Sequence, residues 1–258
     1  RFDKTMLILL SPAKTMDALP GKNDPAGTSP FFQEDALFIA SHLSEYSREQ
    51  LQILLQISNK LTDINYKRYQ QFTSSYAPAR PAILAYTGTV FKHLRPETFS
   101  PEDYQYVQRH IRIISTLYGL LRPLDLIQAY RLAFKLKIKN IEEKDLYEYW
   151  RPKLTAPLIE SIQKSGGILI NLASLDIQGA LDMKRLEKEV RVVTPEFKEL
   201  RNGKYETIRT YAKMARGEMT RYILLNRLNK PEELQGFQWD GFRYNAELSD
   251  IHRYIFTK

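Results

Sequence analysis

Four short apolar runs constrain this chain more than any other feature: residues 6–10 (MLILL), 82–86 (AILAY), 111–117 (IRIISTL) and 168–172 (ILINL). Runs of this length, bounded by turn-forming or polar residues, read as strands buried on both faces. Buried strands separated by helical stretches imply a mixed sheet with helices packed on it, an α/β architecture. Asn202-Gly203, a pair suited to the positive φ angles of a tight turn, predicts a hairpin with flanks 190–197 and 204–210, so antiparallel strands join the sheet.

Helix signals lie between the runs. Ser100 precedes Pro101 at a first helical position, and Ser47 precedes Leu51, Leu54 and Leu55 at helical spacing over residues 47–57. A longer helix is expected over residues 211–228. Its apolar face would be Tyr211, Met214, Ala215, Met219, Tyr222 and Leu225, with Lys213, Arg216, Arg221 and Arg227 opposite. Gly217 in its interior costs about 1 kcal/mol relative to Ala, which predicts a close neighbour there. Glu218 falls on the apolar side and is expected to be paired. No linker or repeat divides the 258 residues, so one domain over residues 6–258 is expected, ordered apart from its ends and the loop 20–30. Met6 reads as the native start, with residues 1–5 vector-derived.

With no cysteine, the chain has no disulfide, no thiolate nucleophile and no cysteine-ligated metal, and it suits a reducing cytosol, so a cytoplasmic protein is expected. The run 6–10 is too short for a signal segment or a membrane span, and no membrane partner is expected. His42, His93, His110 and His252 have no metal-ligand spacing. Phosphate-loop, nucleophile-elbow, zinc-protease and dinucleotide signatures are missing, so neither a cofactor, a metal nor a set of catalytic residues is expected.

Charge points to a polyanion. The net charge is +8, and it is concentrated: residues 104–139 hold seven Lys and Arg against Asp125 alone, and residues 201–230 hold eight against Glu206 and Glu218. Polar residues also gather where runs end. Lys14 and Thr15 follow the first run, and Thr87-Gly88-Thr89 with Lys92 follow the second, the place where open α/β sheets bind ligands. Arg122 and Arg131 follow the third, each able to fork onto phosphate oxygens. Asp125 either orients one of them or forms a structural Arg–Asp pair tying a loop to the sheet; the second reading is preferred.

Several segments together resemble the YaaA family of bacterial peroxide stress proteins: residues 7–16 (LILLSPAKTM), 83–90 (ILAYTGTV), 114–131 (ISTLYGLLRPLDLIQAYR), 171–174 (NLAS), 213–221 (KMARGEMTR) and Gly236-Phe237. The resemblance implies a single-domain α/β fold peculiar to that family, a basic cleft, binding to duplex and branched DNA, and a role in limiting DNA damage and free iron under peroxide stress. It also implies a helix-hairpin-helix element, for which residues 51–72 are the candidate, with 54–60 as the hairpin. Gln56 and Ser58 stand there where glycines are usual. After residues 171–174 the family commonly continues with an acidic residue, an aromatic and a lysine, whereas this chain has Asp176, Ile177 and Gly179.

The expected DNA contacts are Lys60, Lys67 and Arg68 on the helical hairpin, Lys14, Lys92, Arg122 and Arg131 around the strand ends, and Lys213, Arg216 and Arg221 on the basic helix. Phosphate contacts of this kind position a duplex but carry little sequence information. The alternative is an enzyme acting on a nucleotide or other phosphorylated small molecule, with Lys14, Arg122, Arg131 and Asp125 lining its pocket.

Overall fold

The structure, a computed structural model, describes residues 4–258. Of the opening five residues, 1–3 therefore lie outside the described residues, while the Thr5 N–H donates to the Ser165 carbonyl at 2.8 Å. In chain order the elements are β1 (Leu7–Leu10), α1 (Gln33–Ser44), α2 (Arg48–Leu55), α3 (Asn59–Gln70), β2 (Arg80–Pro81), α4 (Ala82–Ala85), α5 (Thr89–Leu94), α6 (Pro101–His110), β3 (Ile111–Ser115), β4 (Gly119–Leu121) and β5 (Leu126–Ile127). Then follow α7 (Leu146–Ser165), β6 (Ile168–Asn171), α8 (Met183–Glu189), β7 (Arg191–Arg201), β8 (Lys204–Glu206), α9 (Arg209–Leu225), β9 (Gln238–Trp239), β10 (Phe242–Tyr244) and β11 (Arg253–Thr257).

A nine-stranded mixed sheet runs β4-β3-β1-β6-β7-β11-β10-β9, with β8 paired to β7. Its centre is parallel: Ile8 lies opposite Ile111 on one side and Ile170 on the other. Every residue of β1 is buried, so helices cover both faces there, as a run with no polar alternation demands. Trp150 of α7 is fully buried beneath this layer and donates its indole N–H to the Thr116 carbonyl at 2.8 Å.

Two strand expectations are corrected: the hairpin flank expected over residues 204–210 ends at Glu206, because α9 begins at Arg209, and the run 82–86 is not a strand. Residues Ala82–Ala85 form a helical turn, with the Tyr86 N–H donating to the Ala82 carbonyl at 3.1 Å. All four side chains of α4 are buried, so an all-apolar run carries no period by which to choose helix or strand. The Ala82 and Ile83 N–H groups settle the matter by bonding the Asp125 and Pro123 carbonyls at 2.8 and 3.0 Å, contacts some 40 residues away in sequence. The loop 20–30, expected to be loose, is fastened twice. Arg80 bonds Asp24 with both Nε (2.9 Å) and an Nη (3.0 Å), and Thr28 pairs with Asp125.

Local chemistry explains the helix starts. Ser47 caps α2 and Ser100 caps α6, each in a reciprocal capping box with Gln50 and Asp103, and Pro101 occupies the first turn of α6. Helix α9 departs from its expected face. Ala212, Ala215, Gly217, Met219, Thr220, Ile223 and Leu224 are buried, while Leu225 is 44% exposed. The reason is that α9 packs on β7 with one side and on α5 with another, so half-buried Arg216 does not stand on an open polar face. It ends at Leu225, before Arg227 adopts a left-handed φ of 50°.

His110, at the end of α6, is a half-buried acid-sensitive point. Its Nδ1 lies 3.3 Å from the Met6 carbonyl and 3.2 Å from the Thr5 hydroxyl, and its ring sits 4.0 Å from that of Tyr106. Burial, helped by the charges of Arg109, Arg112 and Arg227, holds its pKa down at about 4. An unfolded histidine titrates near 6.5, so between those values the unfolded chain binds more protons, and stability falls as pH drops through that window. Urea unfolding of the wild type and His110→Gln from pH 7 to 4 is expected to show that loss in the wild type and a shallower one in the variant. Parallel profiles would contradict it.

Candidate nucleic-acid interface

Two of the expected strand-end segments do meet. The loop after β1 lies along the segment before α5: the Thr87 N–H donates to the Thr15 carbonyl at 3.0 Å, the Asp17 N–H donates to the Ala85 carbonyl at 2.8 Å, and Met16 bridges Tyr86. Thr87-Gly88-Thr89 therefore follows a helical turn rather than a strand, yet still stands beside Lys14. The end of β6 joins them. Ser174 donates its N–H to the Ser11 hydroxyl at 2.7 Å, the two hydroxyl oxygens are 2.9 Å apart, and the Ser174 hydroxyl bonds Asp176. Ser11 and Ser174 were not singled out from sequence, although both lie in the segments that carry the family resemblance.

Arg216 of α9 is half-buried. Burial pulls its pKa down, and the nearby carboxylates of Asp176 and Glu196 oppose that shift. Lys14, Lys92 and Lys213 are exposed, the last two on the packed pair α5 and α9.

The helical hairpin forms the second group. Gln56 adopts the left-handed conformation (φ 53°) usually reserved for glycine, and the Ser58 side chain caps α3. Helices α2 and α3 pack together across that short turn. Lys60 is exposed in the first turn of α3, where a cation opposes the helix dipole and so does nothing for the helix itself. Lys67 and Arg68 occupy the last turn, where the dipole favours them. Tyr69 donates its hydroxyl to the Arg131 carbonyl, which lays the Arg131 loop against α3. The Arg68 pKa is lowered by burial and further by the Arg131 charge. Among the described residues Arg68 bonds only the Asn65 side chain, at 3.2 Å.

Arg122 and Arg221 are engaged in the fold. Asp125 is fully buried and accepts from the Arg122 N–H at 2.8 Å, from its Nε and Nη at 3.2 and 2.9 Å, and from the Thr28 hydroxyl at 2.6 Å. Arg122 also donates to the Ser29 carbonyl at 3.1 Å, so the pair ties loop to sheet, the preferred sequence reading. Arg112 next to it has its pKa lowered to about 10 by burial. Arg221 donates to the Leu94 and Arg95 carbonyls and to the Thr98 hydroxyl at 3.1, 3.3 and 2.8 Å, clamping α9 to the end of α5.

By contrast, the head groups of Lys14, Lys60, Lys67, Lys92, Arg131, Lys213 and Arg216 make no ion pair and no side-chain hydrogen bond among the described residues. A cavity of about 390 Å³ between α7 and α8 is lined by Glu148, Arg151, Thr155, Asp182 and Arg185 and includes none of the ten expected contacts. Among the described residues no three His, Asp or Glu side chains gather as a metal site would require, and no helix is long and apolar enough to cross a membrane.

Comparison with known proteins agrees with the segments quoted above. Residues 6–248 match the family profile described as peroxide stress protein YaaA. A UPF0246 protein of Bacteroides thetaiotaomicron is 51% identical over 251 residues, covering 97% of this chain and 98% of its own length. UPF0246 proteins of Parabacteroides distasonis and Saccharophagus degradans are 46% and 40% identical, each covering 98% of this chain and, respectively, 100% and 99% of their own lengths.

Proposed function

Because this chain belongs to the family of peroxide stress protein YaaA, we propose that it binds DNA, duplex and branched, through phosphate contacts with little sequence preference, and that it acts in the cytoplasm to limit DNA damage under peroxide stress. One observation carries the reading: among the described residues, these seven basic head groups, from five separate stretches of chain, make no ion pair, although the sequence has 30 Asp and Glu. A cation without an ion pair breaks none when it meets a phosphate, and each can release a counterion from the polymer. The proposed surface uses Lys14, Lys92, Lys213 and Arg216 around the strand ends, and Lys60, Lys67, Arg68 and Arg131 at the helical hairpin. Arg122 and Arg221 contribute through their exposed parts only. We place a helix-hairpin-helix role at α2 and α3 and a basic cleft at the strand ends on the same grounds.

The hydroxyl chain Ser11–Ser174–Asp176 at the strand ends favours the second reading, a site for a phosphorylated small molecule. A mobility-shift titration separates the two. Duplex and four-way-junction DNA should be bound at low salt, with Kd at physiological salt of about 1–100 µM, in the range of sequence-independent binders. Mononucleotides or pyrophosphate at matched phosphate concentration should not displace the DNA. Failure of folded protein to shift either DNA, or displacement by a mononucleotide, would favour the pocket.

A further inference from the structure

The hairpin of β7 and β8 leaves an open edge whose charges are mismatched within one molecule. Residues 200–207 are all exposed, and Asn202 and Gly203 both take left-handed φ values (49° and 76°), giving a two-residue turn. Leu200 donates its N–H to the Lys258 carbonyl at 2.8 Å, and the Lys258 N–H donates to the Lys198 carbonyl at 3.1 Å. Residues 198 and 200 thus turn their backbone groups toward β11, and Glu199 and Arg201 turn theirs toward β8. The hydrogen-bonded pairs of the hairpin are Glu199 with Glu206 and Arg201 with Lys204. Tyr205, between them, directs its N–H and C=O outward, where no strand lies among the described residues.

Those same pairs set carboxylate opposite carboxylate and cation opposite cation, arrangements that destabilise a sheet. Arg201 satisfies Glu199 at 3.2 Å, while Lys204 and Glu206 have no ion pair among the described residues. Leu200 and Tyr205, 52% and 42% exposed, lie opposite each other and so share one face.

We propose that this edge pairs with the same edge of a second copy of the chain, antiparallel about a two-fold axis at Tyr205. In that register the outward N–H and C=O of Tyr205 bond their counterparts, and Lys204 of each copy stands opposite Glu206 of the other. The Lys-Tyr-Glu order is what makes the match, since antiparallel pairing of a strand with itself sets its first residue against its third. Leu200 and Tyr205 of both copies form one apolar stripe across the four strands. The edge is short and buries less than a standard interface, so the dimer is weak and reversible.

Sedimentation of the full chain from about 10 µM to 1 mM, a range suited to weak association, reads this directly. The wild type should dimerise reversibly. Lys204→Glu and Glu206→Lys should each weaken association about tenfold, because two attractive pairs become repulsive, and the combined reversal should restore it. Tyr205→Cys, the sole thiol in such a chain, should give a disulfide-linked dimer on oxidation. A wild type that stays monomeric throughout, or a folded double reversal that dimerises no better than either single variant, would overturn the proposal.

Discussion

Gly217→Ala is expected to destabilise the protein by about 2–3 kcal/mol, and Gly217→Val to prevent stable folding, overpacking of this kind being among the few mechanisms with effects so large. Intrinsic helix propensity argues the other way, since Ala in a helix interior is favoured over Gly by about 1 kcal/mol. Geometry decides the sign. A Cβ at Gly217 would lie 2.3 Å from the Val90 carbonyl oxygen and 2.8 Å from the His93 Cβ, and the first of these is backbone that cannot swing aside. Helix α5 has little room to retreat, because Phe91 and Leu94 are buried and Arg221 grips the carbonyls of Leu94 and Arg95. Forcing the helices apart would also pull Glu218 from His93, to which it lies at 3.0 Å. Urea denaturation should show a lower midpoint with an unchanged slope. An alanine variant as stable as the wild type would mean that the α5–α9 contact is not close.

That contact also marks where sequence reading stops. Strands β1, β3 and β6 are legible because continuous apolar residues at strand length, followed by turn or polar residues, leave few other solutions. The starts of α2 and α6 are legible because a cap is satisfied within four residues. Both depend on neighbours in the chain. Helix α4 depends on hydrogen bonds to residues 123 and 125, and the second buried side of α9 depends on α5, some 125 residues earlier. Gly217 and Glu218 were the sequence's local traces of that contact, a costly glycine and a carboxylate on an apolar side, and His93 proves to be the partner of the second.

The candidate site divides on the same principle. Lys14 with Thr87-Gly88-Thr89 was legible as two polar endings of apolar runs, and the Arg122–Asp125 pair as two complementary charges three residues apart. The Ser11–Ser174 contact spans 163 residues and left no charge or spacing to read. The burial of Arg216 was likewise hidden, because helical periodicity placed it on the polar side of α9 and only tertiary packing turns that side inward.

The largest expected effect on binding comes from the helical hairpin. Replacing Lys60, Lys67 and Arg68 together by Ala removes three cations, none of which forms an ion pair among the described residues. Surface changes of this sort alter stability by about 0.5 kcal/mol or less, although half-buried Arg68 also gives up its bond to Asn65. If each holds one phosphate, affinity for duplex DNA at physiological salt should fall on the order of a hundredfold, from the counterions no longer released. The loss should be uniform across sequences, because phosphates carry no base identity. Arg131 and Lys213, one from each basic stretch, should each contribute a single contact of the same kind.

The most direct test is the slope of log affinity against log salt on one duplex, measured by fluorescence anisotropy for the wild type, Arg131→Ala, Lys213→Ala, their double variant and the hairpin triple variant. Each phosphate contact contributes about 0.9 to that slope, so DNA binding through a shared basic surface requires losses of about one, one, two and three units. Slopes unchanged in all four folded variants would contradict it.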